Sequence, residues 1–100
     1  MKLYVVILGL IFNLLPNNLS CRDFITLQST TSTRDSGLYE YLLPKFVKEK
    51  GFDVKVVAVG TGQAIKNASR CDADVLIVHH KETEEKFVKD GYGLYREEFM

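Results

Sequence analysis

Five consecutive hydroxyl residues, Ser29-Thr30-Thr31-Ser32-Thr33, stand between an apolar run and a helical pattern, and Gly60-Thr61-Gly62-Gln63 holds a similar place further along the chain. Each hydroxyl can donate one hydrogen bond. A helix that follows such a segment adds unpaired N–H groups and the positive end of its dipole. The combination makes a neutral anion site that needs no buried lysine or arginine. Glycines 60 and 62 let the backbone come close to a ligand, and Thr61 adds a donor. A fully deprotonated tetrahedral oxyanion carries only acceptors and so matches a donor-only site. Phosphate near neutrality keeps a proton and gains from an acidic acceptor. Asp35 is the nearby carboxylate, and its expected task is to satisfy N–H groups in the first turn of the next helix. The bland alternative is that Ser and Thr cap helices and fill turns. Two such segments converging at one place favour the anion site. On the residues alone this is an oxyanion binder, sulfate-like in chemistry.

These donors need elements to hold them. β-prone apolar runs predict strands over 24–28, 54–59 and 75–78, each nearly continuous and so expected to be buried on both faces. Helical patterns fall between them. Leu38, Tyr41, Leu42, Phe46 and Val47 form one stripe, stopped at Gly51, with a kink or altered bonding expected at Pro44. Shorter helices are predicted over 63–70 and 82–90, the latter with Phe87 and Val88 facing inward, before Gly91-Tyr92-Gly93 turns the chain. Alternation with short connections means an α/β fold with parallel strands and right-handed crossovers. Ligands in such sheets sit beyond the carboxyl ends of the strands. The loops at that edge are 29–36, 60–62 and the segment from His79.

The N-terminus has a different character. Lys2, an apolar run over 3–15, Pro16 and a polar exit ending at Ser20 form a secretory signal over 1–20, so the remainder is expected outside the cytoplasmic membrane. Cys21 follows directly and raises a lipid anchor, but Asn18 stands where an aliphatic residue is expected, which favours simple cleavage. Segment 21–100 is then the working part, small enough to bury only a modest core.

Composition narrows the function. With 13 basic and 13 acidic residues the chain lacks the charge of a nucleic-acid binder. Its two cysteines have no metal or redox spacing, and Cys71 is expected to be a small, partly buried residue. His79 and His80 are adjacent and point apart, so no metal site is expected; His79 is placed at a strand end lining the cleft. Glu82 to Glu85 reads as the acidic first turn of a helix. Gly60-Thr61-Gly62 lacks the Lys-Ser/Thr ending of a nucleotide loop, and no nucleophile is assembled with a base. Neither a cofactor nor catalysis is expected.

Several motifs in order carry a resemblance. Thr30-Thr31-Ser32-Thr33-Arg34-Asp35-Ser36-Gly37-Leu38, Leu42-Leu43-Pro44-Lys45-Phe46, Val57-Ala58-Val59-Gly60-Thr61-Gly62-Gln63-Ala64 and Asp72-Ala73-Asp74-Val75-Leu76-Ile77-Val78-His79 resemble the tungstate-binding proteins of ABC-type uptake transporters, and the match extends over 24–100. The resemblance implies a two-lobed, periplasmic-binding-protein-like (type II) fold that closes on tungstate and delivers it to a membrane permease. By position it makes Thr31, Ser32 and Thr61 oxyanion donors, with Gly62 beside them. Family members are far longer, so 21–100 reads as an incomplete N-terminal lobe, a fragment whose remaining ligand donors belong to a second lobe. The sequence leaves tungstate and molybdate unranked, and keeps sulfate, phosphate and an enzyme or sensor on the same scaffold as alternatives.

Overall fold

The computed structural model describes residues 23–99; the expected signal segment 1–20 and Cys21 lie outside the described residues. The order of elements is β1 (Phe24–Thr30), α1 (Thr31–Asp35), α2 (Leu38–Lys50), β2 (Asp53–Val59), α3 (Thr61–Ser69), β3 (Val75–Ile77) and α4 (Lys81–Lys89). The three strands form one parallel sheet in the order β2-β1-β3, which is the α/β architecture expected from the alternation.

β1 is the central strand and the axis of the fold. It pairs along its whole length with β2, from Phe24 opposite Asp53 to Thr30 opposite Val59, and on its other side sets Leu27, Gln28 and Ser29 opposite Val75, Leu76 and Ile77. Leu27, Gln28, Ser29 and Thr30 are all buried. The expectation that all three strands are buried on both faces holds only for this one. β2 and β3 are edges among the described residues, mostly half-buried, and Val75 is 43% exposed. The start of the β1–β3 pairing is completed by a side chain: Thr26 N–H donates to Asp74 Oδ2 at 2.9 Å while Asp74 N–H donates to the Thr26 carbonyl at 2.9 Å.

α3 packs on β1 through fully buried Ala64, and α2 lies against β2. α2 runs through Pro44 to Lys50 and ends on Gly51, whose φ of 76° is the left-handed turn that glycine adopts without a Cβ penalty. Proline has no N–H, so the carbonyl of Glu40 receives no helical bond from position 44. α4 begins at His80, which accepts the Thr83 N–H, and its first turn holds Glu82 and Glu84 as the dipole favours. It ends where Gly91 N–H reaches the Val88 carbonyl and Tyr92 N–H the Phe87 carbonyl. The segment beyond returns to α4 through Arg96, whose Nε lies 2.8 Å from Glu84 Oε2. Cys71 departs from expectation. It is exposed and has a φ of 65°, because the chain must reverse there between the end of α3 and β3.

Candidate functional site

The carboxyl ends of β1 and β2 lie side by side, Thr30 opposite Val59. No loop follows either strand. Segment 29–36, expected as a loop, is instead the last two residues of β1 followed by α1, and the expected 60–62 loop is the N-cap Gly60 followed directly by α3. The reason is local: Ser and Thr after a strand serve a helix start as readily as a turn. As a result Thr31 and Ser32 are the first two residues of α1, and Thr61 and Gly62 the first two of α3. Thr31, Ser32 and Gly62 are exposed and Thr61 is half-buried. The four residues expected to contact the ligand thus open two neighbouring helices at one sheet edge.

The run of hydroxyls divides into two groups. Ser29 is fully buried, its Oγ 2.8 Å from the Ile77 carbonyl and 2.5 Å from the Tyr39 hydroxyl. Thr30 is the N-cap of α1: its Oγ1 accepts the Thr33 N–H at 3.2 Å and bonds the Thr33 hydroxyl at 2.7 Å and the Ser32 hydroxyl at 3.1 Å. Ser29, Thr30 and Thr33 are therefore spent on the fold, not all five available as donors. The hydroxyls of Thr31 and Thr61 take no partner among the described residues. At α3, Gly60 offers no side-chain cap and the first intrahelical bond is Ala64 N–H to the Gly60 carbonyl at 2.9 Å. The N–H groups of Thr61, Gly62 and Gln63 are left without an intrahelical partner.

A chain of amides fixes α3 to the sheet. Gln63 Nε2 donates to Asn67 Oδ1 at 2.7 Å, Asn67 Nδ2 to Gln28 Oε1 at 3.2 Å, and Gln28 Nε2 to the Asp72 carbonyl at 3.1 Å. Asp35 does not cap a helix start. It ends α1 and accepts from Arg34 Nε at 2.9 Å, while the Leu38 N–H of α2 is met by Ser36 Oγ at 3.3 Å. The serine is one residue closer to α2 and takes the task. His79 and His80 are exposed after β3, His80 capping α4, and no group of potential metal ligands occurs among the described residues.

Tyr39 is the residue that sequence reasoning missed. It stands outside the stripe read for α2, and nothing about its position gave a sign that the phenol oxygen meets Ser29. Only the run of polar residues ending a buried strand hinted that a partner was needed.

Residues 19–100 match the PBP superfamily domain. The chain is 57% identical over 76 residues to a tungstate-binding protein of Peptoclostridium acidaminophilum, a match covering 76% of this chain and 27% of that protein. It is 45% identical over 76 residues to a putative ABC transporter anion-binding protein of Haloferax volcanii, covering 76% of this chain and 22% of the relative. Among solved structures, the tungstate-binding protein of Desulfovibrio alaskensis G20 superposes with a TM-score of 0.73 at 40% identity, over 74% of this chain and 30% of that one. The chain spans about a quarter of the length of the relatives it matches.

Proposed function

The chain belongs to the PBP superfamily, and from that premise we propose that it is part of an extracytoplasmic solute-binding component of an ABC transporter, with a tungstate-type tetrahedral oxyanion as its ligand. The observation that carries this reading is the pairing of Thr31-Ser32 with Thr61-Gly62 at adjacent helix starts. Hydroxyls and free N–H groups gathered there are all donors, and a dianion of tungstate type offers only acceptors. The names of the similar proteins from Peptoclostridium and Desulfovibrio support tungstate as the anion.

In this reading the chain supplies one side of the site. The groups that would meet the anion from the opposite side, and the contact with a permease, belong to the three-quarters of the relatives' length that this chain does not span. Binding is the role; the residues gathered at the sheet edge include no nucleophile beside a base, and the proposed chemistry is recognition rather than turnover. Export by the segment 1–20 is part of the same proposal and accords with an uptake system that meets its anion outside the cytoplasm.

The test is a chimera in which residues 24–99 replace the aligned segment of the full-length Peptoclostridium relative. Calorimetric titration with tungstate, molybdate, sulfate and phosphate should give tight binding of tungstate and weak binding of phosphate. Preference for sulfate or phosphate would replace tungstate by that anion, and loss of all binding by a folded chimera would refute the assignment.

A further inference from the structure

The bond between Tyr39 and Ser29 lies behind the candidate site rather than in it, and its geometry fixes who donates. A serine hydroxyl has one proton. Ser29 Oγ spends it on the Ile77 carbonyl at 2.8 Å, so the contact with Tyr39 at 2.5 Å must be donated by the phenol. The result is a directed relay, Tyr39 O–H to Ser29 Oγ and Ser29 O–H to the Ile77 carbonyl, with Ser29 0% and Tyr39 5% exposed.

This relay ties together three chain segments at the carboxyl edge of the sheet. Ser29 is two residues before Thr31 and next to the N-cap Thr30. Tyr39 is the second residue of α2, and Ile77 the last of β3. α1 has only 5 residues, too short to hold its own direction, because helix nucleation costs more than a single turn returns. Its orientation must come from its flanks. At its start these are β1 and the Thr30 cap. At its end only Ser36 and Gly37 separate it from α2, whose N-cap Gly37 makes no side-chain bond. The hydroxyl that seats the start of α2 against β1 is therefore one restraint on the far end of α1, beside Ser36, whose Oγ donates to the Thr33 carbonyl and accepts the Leu38 N–H, and beside the packing of α1 on β2.

We propose that Tyr39 and Ser29 are positioning residues for the anion site: their hydroxyl relay holds α1 so that Thr31 and Ser32 face the start of α3 before any ligand arrives. The inference rests on the oxyanion reading above. Donors already in place avoid the ordering cost that a mobile segment would incur on binding. Neither hydroxyl touches the ligand, and both act through α1.

The test titrates the full 100-residue chain with sodium tungstate into the tens of millimolar, following backbone amide shifts. Tyr39→Phe keeps the ring, Ser29→Ala removes the acceptor, and Val47→Ala serves as a control that weakens the packing of α2 without touching the relay. Each relay variant should weaken tungstate binding about threefold or more, and the double variant no further than the worse single one, because both break one unit. Val47→Ala should leave the affinity within error even where it lowers the melting temperature as much. In the free chain, the Thr31 and Ser32 amides should shift in both relay variants and not in the control. Unchanged affinity in Tyr39→Phe, or additive losses in the double variant, would overturn the positioning role while the oxyanion reading stands. No response of the unsubstituted chain at Thr31, Ser32 or Thr61 would overturn both.

Discussion

Thr30 and Val59 end their strands directly opposite each other, and each is followed within two residues by a helix. That single register pair brings Thr31 and Thr61 to one edge. Both are first residues of helices, and neither hydroxyl is engaged among the described residues. A neutral donor lost from a charged ligand costs about 1.5–3 kcal/mol. Thr31→Ala and Thr61→Ala, placed in the chimera, should each weaken tungstate binding by that amount in calorimetry with little change in melting temperature. An unchanged affinity at position 61 would remove Thr61 from the site.

The burial of the Tyr39 phenol also has a pH signature. Burial raises the Tyr39 pKa above the ordinary value of 10.0. The folded state therefore favours the protonated phenol more than the unfolded chain does. The stability this contributes is complete below pH of about 10 and is lost as pH rises through the folded-state value. Urea midpoints followed from neutrality into the alkaline range should fall more steeply for the unsubstituted chain than for Tyr39→Phe. At neutral pH the same substitution should cost about 1 kcal/mol. Parallel alkaline slopes for the two proteins would mean that the phenol does not titrate with folding.

Much of this arrangement was legible in the sequence, and the misses share a cause. The apolar runs around Leu27, Val56 and Leu76 gave three parallel strands, and Gly51 gave the end of α2, because hydrophobic periodicity and glycine act through nearest neighbours. The same local view read 29–36 as a loop, since Ser and Thr favour turns and helix caps alike. It assigned Asp35 to the cap that Ser36 provides. It treated the strands as equals, whereas among the described residues only β1 lies between two partners. Of the candidate site, the four proposed donor positions come together at one sheet edge, and the residues that support them were not legible. The Tyr39–Ser29–Ile77 relay and the Asn67–Gln28 amide bond join different elements of the chain, and no local signal marks such pairs.

Cys71 is the one described non-glycine residue with positive φ, at 65°. A side chain with a Cβ is strained in that region by about 1 kcal/mol or more, and asparagine tolerates it best. Cys71→Asn should raise stability by about 0.5–1 kcal/mol in chemical denaturation, since the exposed thiol contributes no packing to lose. A destabilised variant would show that the thiol has a contact that outweighs the backbone strain.

Glu84 joins two segments. Its Oε1 accepts the His80 N–H at 3.2 Å and its Oε2 accepts Arg96 Nε at 2.8 Å. The side chains are only 16% and 22% exposed, so the pair is screened less than a fully solvated surface bridge. Glu84→Ala should lower stability by about 1–2 kcal/mol, including the lost cap bond. Hydrogen exchange should quicken at the start of α4 and around Arg96 together; quickening at only one of them would mean that the two segments are not coupled through this carboxylate.

The most direct measurement of the central claim is residue-resolved: tungstate titrated into the full chain, with amide shifts mapped along residues 23–99. Three or four hydrogen bonds at about 0.5–1.5 kcal/mol each, set against desolvation of a dianion, cap the affinity near millimolar, about 4 kcal/mol. The expected result is weak, saturable binding with the largest shifts at Thr31, Ser32, Thr61, Gly62 and Gln63. Submicromolar binding by the monomeric chain would contradict the one-sided site, and shifts centred away from the β1 and β2 carboxyl ends would contradict its location.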